Sequence, residues 1–132
     1  MEQLSGWKKY GVWLISGLLT VAFLMAGSMK LMGSEALIQN FQRWGYPLFF
    51  LYGVGLSEIT FAIGLWIPKI SGVAALGLVG LMIGAVGTHL MAGEFNQIGP
   101  SMLLGFLAGL VFGIRYSQIR QLYFQFRKSA IE

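Results

Sequence analysis

Cysteine is absent and charge is scarce. The 132-residue chain has no Cys, three Pro and one His, and only 11% of it is Asp, Glu, Lys or Arg, against about 25% in an ordinary soluble domain. Without Cys there is no disulfide framework, no thiolate metal site and no thiol redox chemistry by this chain alone. One His supplies at most one axial ligand to a haem, and no multi-histidine metal motif, nucleotide loop or Ser/His/Asp set is present. The missing charge is replaced by apolar residues, 56% of the chain at a mean hydropathy of +0.70. Such a composition belongs to a chain whose solvent is largely lipid. The formal net charge of +4 does not point to nucleic acid, because the Lys and Arg residues stand at the ends of apolar runs, where they report membrane topology.

A hydrocarbon core about 30 Å thick requires about 20 apolar residues in a helix. Residues 11–32, 48–67, 70–91 and 101–116 meet or approach that length, so the expected fold is all-α, a single membrane domain built as a four-transmembrane-helix bundle. The runs are continuous, which excludes the alternating strands of a barrel. Lys8 and Lys9 before the first run resemble the start of a signal peptide. That run is too long for an h-region of about 7–15 residues, and a retained first helix is expected. Lys8, Lys9, Lys69, Arg115, Arg120, Arg127 and Lys128 fall on one side of such a bundle, Arg43 and Lys30 on the other. Basic residues mark the cytoplasmic side, which places both termini there, in a bacterial inner membrane. Trp7, Tyr10 and Trp13 are expected to form an aromatic belt on that side, and Trp44 and Tyr46 on the other. Arg115, at the end of the fourth run, is expected to reach for the headgroups.

Two shorter segments are amphipathic. Leu37, Ile38, Phe41 and Trp44 recur at helical spacing opposite Gln39, Gln42 and Arg43, which predicts a short interfacial helix on the outer surface. It is closed by Gly45-Tyr46-Pro47. In residues 117–129, Ile119, Leu122, Tyr123 and Phe126 oppose Arg120, Arg127 and Lys128. This predicts a cytoplasmic amphipathic helix bound to anionic membrane lipids. Glycines stripe the last two spans: Gly77, Gly80, Gly84 and Gly87 in one, Gly105, Gly109 and Gly113 in the other. GxxxG-like spacing is expected to bring helix backbones together, so that bulk at Gly84 or Gly109 impairs folding or association, including association with a second copy.

Ionisable groups inside a span cost about 2.5–3.5 kcal/mol on insertion scales, so each needs a reason. Glu58 is the deepest, roughly 16 Å past Pro47 along its helix, on a face with Gly55 and Ala62. Alone there it would be neutral, either a hydrogen-bonding clasp or a group that handles protons or a ligand. Lys30 shares a face with Phe23, Ala26 and Gly27, near enough to the span's end to snorkel instead. On level helices Lys30 and Glu58 differ in depth by roughly 13 Å, near the limit of their combined reach. His89, with Thr88 beside it, lies on a face with Met82 and Ala85, almost opposite the glycine stripe, and only one of those faces is expected to look inward. Met25, Met29 and Met32 form a stripe that thioether chemistry would allow to bind Cu(I), but methionine is ordinary core filler, and no metal is expected.

In their order and spacing, Ala26-Gly27-Ser28-Met29-Lys30-Leu31, Trp44-Gly45-Tyr46-Pro47, Glu58-Ile59-Thr60-Phe61-Ala62-Ile63-Gly64-Leu65 and Met82-Ile83-Gly84-Ala85-Val86-Gly87-Thr88-His89 resemble the DoxX-like family of small four-helix membrane proteins. The resemblance spans roughly residues 15–115. It implies a four-helix bundle and a label as an oxidoreductase-linked membrane subunit, associated with quinone, whose polar positions fall on Lys30, Glu58 and His89. The lack of Cys argues against a thiol-exchange role of the kind suggested for relatives.

Three functions are compatible with these residues. The first is a redox accessory that binds a quinone among Lys30, Glu58, Thr88 and His89 and relies on a redox partner protein, since the chain shows no electron carrier. The second is a non-enzymatic assembly factor, chaperone or lipid-binding module. The third is a small transporter, which four helices could form only as a homo-oligomer. The orientation is testable directly. Cysteines replacing Asn40 and Gln97 should react with an impermeant thiol reagent in intact cells, and one replacing Ser129 should not; the reverse pattern would invert the topology.

Overall fold

The computed structural model describes residues 6–132, and within that range the side chains of Ser117, Gln118, Ile119 and Leu122 lie outside the description. The elements are α1 (Gly6–Leu31), α2 (Glu35–Trp44), α3 (Leu48–Gly64), α4 (Ser71–Ala92), a 3-10 turn (Phe95–Gln97) and α5 (Ile98–Ile131). Three glycines in the left-handed region, Gly33 at φ 68°, Gly45 at φ 84° and Gly93 at φ 72°, stop α1, α2 and α4. Each ending has the same two bonds: the glycine N–H donates three residues back and the next N–H five back, as in Gly93 to Leu90 and Glu94 to His89. A side chain with a Cβ would be strained at such a turn. The residue after each glycine is thereby aimed by the helix end, which matters for Glu94 below.

Leu19 and Phe23 from α1, Ala62 from α3, Ala74, Ala75 and Leu78 from α4, and Ala108 and Val111 from α5 form one buried core, joined by Leu65. The tightest approach is between α1 and α3. A Cβ added to Gly27 would lie 2.7 Å from the Gly55 carbonyl oxygen, and one added to Gly55 would lie 2.8 Å from Lys30 Cβ and 2.9 Å from the Gly27 carbonyl oxygen. No real Cβ tolerates such distances, so these two glycines set the α1–α3 spacing. Gly77 plays a similar part between α4 and α3, seated under the Phe61 ring at 2.6–2.8 Å from an added Cβ, and Gly105 faces Met82 Cβ at 3.2 Å.

The rest of the glycine stripes behave otherwise than their spacing predicts. At Gly80, Gly84, Gly87, Gly109 and Gly113 an added Cβ meets nothing within 4 Å, so among the described residues no helix packs closely there. Spacing identifies a common helix face; it does not identify what lies opposite. The expected intolerance of bulk at Gly84 and Gly109 has no contact within the chain to support it.

Several boundaries also move. α3 stops at Gly64, and residues 65–70 form turns around Pro68. α1, α4 and the stretch Phe95–Tyr116 are long and apolar enough to cross a membrane, whereas α3 reaches that length only together with α2, from which it bends by 116°. The tail is not a separate helix: α5 runs unbroken for 34 residues, roughly 51 Å. A tail lying flat on a surface would require a break after Tyr116, and the backbone shows none. Of its proposed apolar face, Tyr123 and Phe126 are exposed, while the side chains of Ile119 and Leu122 fall outside the description. Arg115 does not extend outward either. It is 4% exposed, with its guanidinium 5.3 Å from the centre of the Trp13 ring, and Trp13 in turn stacks on Trp66 at 5.1 Å. Favourable cation–π contact with a desolvated guanidinium explains the inward position. Trp7 and Tyr10 stay exposed.

The glycine contacts make a direct prediction. Gly55→Leu should lower thermal stability in mild detergent by an overpacking cost of about 1–3 kcal/mol or more, whereas Gly109→Ala should leave it unchanged or raise it, since Ala is the better helix former. Equal stability of Gly55→Leu and the parent would show that α1 and α3 can part without cost.

Candidate functional site

Where α1 ends, the five helices separate around a cavity of about 690 Å³. Its wall is largely aromatic and aliphatic, with Phe23, Phe41, Trp44, Phe50 and Leu104 among the residues facing it. Into it also face Lys30, Glu58, Thr88 and His89, the polar positions singled out in the sequence. The structure assigns them to different partners.

Lys30 Nζ lies 2.7 Å from Glu58 Oε1, with the two side chains 15% and 2% exposed. Level helices would hold them a dozen ångströms apart in depth, but α1 and α3 are not level. Gly55, three residues before Glu58, lies against Lys30 itself. The first two turns of α3 therefore stand beyond the end of α1, and Glu58 comes up to the Lys30 level. The same glycines that close the helices bring the charges together. A pair so deeply placed gains little over an apolar replacement, but removing one partner alone strands the other and costs about 3–5 kcal/mol.

The second charge centre is Glu94, which the sequence reading passed over. Its carboxylate accepts a hydrogen bond from Trp44 Nε1 at 2.8 Å, pairs with Arg43, and lies 3.4 Å from His89 Nδ1. The His89 ring stands edge-on to the Trp44 indole, centroids 5.5 Å apart. Glu94 thus joins α2 to the α4–α5 connection. Burial acts to raise the Glu94 carboxyl, but Trp44, His89 and Arg43 together hold it below its ordinary value. A signal was available: the chain has only five acidic residues, and this one follows a glycine that ends an apolar run. Attention to groups within spans excluded it.

A third contact ties the walls together. Tyr46 Oη and Thr88 Oγ1 share a hydrogen bond at 2.7 Å, linking the α2–α3 turn to α4. Around it Phe41, Trp44, Tyr46 and Phe50 form a continuous aromatic set with centroid distances of 5.1–6.2 Å. Trp44 and Tyr46, expected in an outer aromatic belt, stand here with Phe41 and Phe50 in the wall of the cavity.

Lys30, Glu58 and His89 therefore line one space without forming one linked trio. Nor do the two faces of α4 exclude each other: Ala85 and His89 line the cavity, and so do Gly80 and Gly84, because its wall wraps around the helix. Chemically, the space offers an ammonium and hydroxyl donors at the edge of an apolar chamber. That suits an apolar molecule with carbonyl or hydroxyl acceptors. Among the described residues no group of three or more His, Asp or Glu side chains is placed to hold a metal ion.

Residues 14–111 match the model of the DoxX-like family. No curated protein and no solved structure matches the chain.

The Glu94 junction should respond to acid. Its folded carboxyl titrates below the ordinary value, so its contribution is fully present above the ordinary carboxylate range and is lost as pH falls through the lower, folded value. Hydrogen exchange of the α2 amides should accelerate on acidification across that interval. In Glu94→Gln it should already be fast at neutral pH; slow exchange there would mean α2 is held by packing alone.

Proposed function

On the premise that the chain belongs to the DoxX-like family, we propose that it is a four-span membrane protein that holds a lipid-soluble molecule with hydrogen-bond acceptors, a quinone being the natural example, in the cavity beside Lys30 and Glu58. The observation that carries this reading is the pairing of a largely apolar chamber of about 690 Å³ with a buried ion pair at its edge. A ligand carbonyl would meet the remaining N–H donors of Lys30 or the Thr88–Tyr46 hydroxyls, and Glu58 would hold the ammonium in place or exchange a proton with it. The protein would then be the binding part of a redox assembly, with electrons supplied by a partner.

The same reading places α3 as the remaining span, about 26 Å long at 17 residues, and α2 at the outer surface above the cavity. Both termini then lie in the cytoplasm, in a bacterial inner membrane, where the basic residues of the α5 tail meet anionic lipid or a partner.

A different observation favours a second reading. Each ionisable side chain that faces the cavity has a partner within the chain, Lys30 with Glu58 and His89 with Glu94, as a purely structural clasp in an assembly factor or lipid-binding module requires. Glu58→Gln separates the two. Glutamine keeps the size but leaves the Lys30 ammonium without its counter-charge, so under either reading stability falls by about 3–5 kcal/mol. A ligand site should in addition lose the molecule that copurifies in mild detergent, read by mass spectrometry and visible absorbance on the folded fraction, whereas a clasp has none to lose. A parent protein that carries no small molecule and purifies in a stable complex with another protein would establish the clasp instead.

A further inference from the structure

The glycines of α4 bear on how the cavity is reached. Gly77 of α4 is closed off by the Phe61 ring of α3, so the two helices touch there. Further along α4, towards His89, its glycines meet no such neighbour. Gly80 and Gly84 are exposed, an added Cβ at either meets nothing within 4 Å, and both line the cavity. Facing them on α3, beyond Phe61, are Val54 and Phe50, which also line the cavity. At the far end the gap closes again, because Tyr46 is hydrogen-bonded to Thr88 at 2.7 Å. Gly77 and Thr88 are eleven residues apart in one helix, which makes the opening roughly 16 Å tall.

Helical phase gives the direction of this opening. At 100° per residue, Gly80 and Gly84 fall between two groups on α4. On one side are Leu76 and Ile83, 48% and 68% exposed; on the other are Leu81 and Ala85, which face the cavity. The glycines are the rim between the chamber and the apolar outer surface, which is the surface a membrane would bathe.

We propose that the gap between α3 and α4, bounded by Phe61 on Gly77 and by the Tyr46–Thr88 hydrogen bond, is a lateral window through which the hydrocarbon tail of a single-chain amphiphile passes between the bilayer and the cavity. Gly80 and Gly84 keep it open by lacking side chains. The proposal rests on the cavity as a ligand site and adds the class of ligand: one with a polar head small enough for the chamber and a single hydrocarbon chain that follows it in through the window. A freely diffusing polar solute would have no use for an opening on this face, whose borders are apolar.

The test uses the full-length protein in phosphatidylcholine vesicles containing a long-chain alcohol with a photoactivatable diazirine at mid-chain. Illumination should label Ala26 and Leu104, partly exposed cavity walls contributed by α1 and α5, as well as the outward Ile83. Gly84→Phe, placed where there is room for it, should cut labelling of Ala26 and Leu104 at least fivefold and leave Ile83 unchanged. Gly80→Phe serves as the second variant, with thermal stability confirming that each has folded. Absence of label at Ala26 and Leu104 in the parent, or equal labelling in folded Gly84→Phe and Gly80→Phe, overturns the window. Cavity labelling in a parent that carries no copurifying molecule would count against the proposed site and leave the window standing, whereas a copurifying molecule with no cavity labelling would count against the window and not against the site.

Discussion

Two backbones in contact govern the rest of this molecule. Gly27 and Gly55 let α1 and α3 approach until the carbonyl oxygen of each lies only 2.7–2.9 Å from where a Cβ on the other would stand, closer than any pair bearing side chains could come. That contact lifts α3 relative to α1 by about two turns and brings Glu58 to Lys30. It also leaves the start of α3 projecting past the end of α1, where the chain turns through 116° into α2. The cavity lies in the corner so made, with α2 as its roof. A change of one methyl group at either glycine would therefore act on the ion pair, the roof and the chamber together.

The polar groups then divide the chamber into a deep end and a shallow one. At the deep end the Lys30–Glu58 pair is almost sealed from solvent, where effective dielectric is low and the two charges hold each other firmly. At the shallow end Glu94 gathers Arg43, Trp44 and His89, with Arg43 57% exposed, so that its interactions are weakened by water and salt. The first is fixed by helix packing, the second by a single glycine-terminated helix end. Opening of the chamber, when it occurs, should therefore begin at α2.

Much of this was legible in the sequence because a lipid-soluble chain has so few charges to interpret. Lys30, Glu58 and His89 stood out as ionisable groups in apolar runs, and Gly27 and Gly55 as small residues on the same faces. What could not be read was relative height. Hydropathy marks where a run starts, and it made α1 and α3 look level, which kept Lys30 and Glu58 apart. The glycine stripe of α4 was visible, but a sequence shows one helix at a time, and only Gly77 has a neighbour pressed against it. Arg115 was read from its position at a run's end, with no means of foreseeing Trp13 above it. Glu94 is not evident in the sequence because its importance comes from two residues distant in the chain, Arg43 and Trp44, and from His89, five residues earlier, which the geometry of the helix end brings to it.

The α1–α3 ion pair also constrains how such a chain can be made. α1 is synthesised first, and its Lys30 has no counter-charge until Glu58 follows 28 residues later. Each charge alone in hydrocarbon carries a penalty of about 2.5–3.5 kcal/mol, and both penalties are relieved only when the helices meet. On the proposed four-span reading, α1 would wait near the interface, where Lys30 stays hydrated, until α3 emerges to accompany it. The two helices would then insert as a unit, with the short amphipathic α2 between them letting them turn back on each other before either is committed to the bilayer.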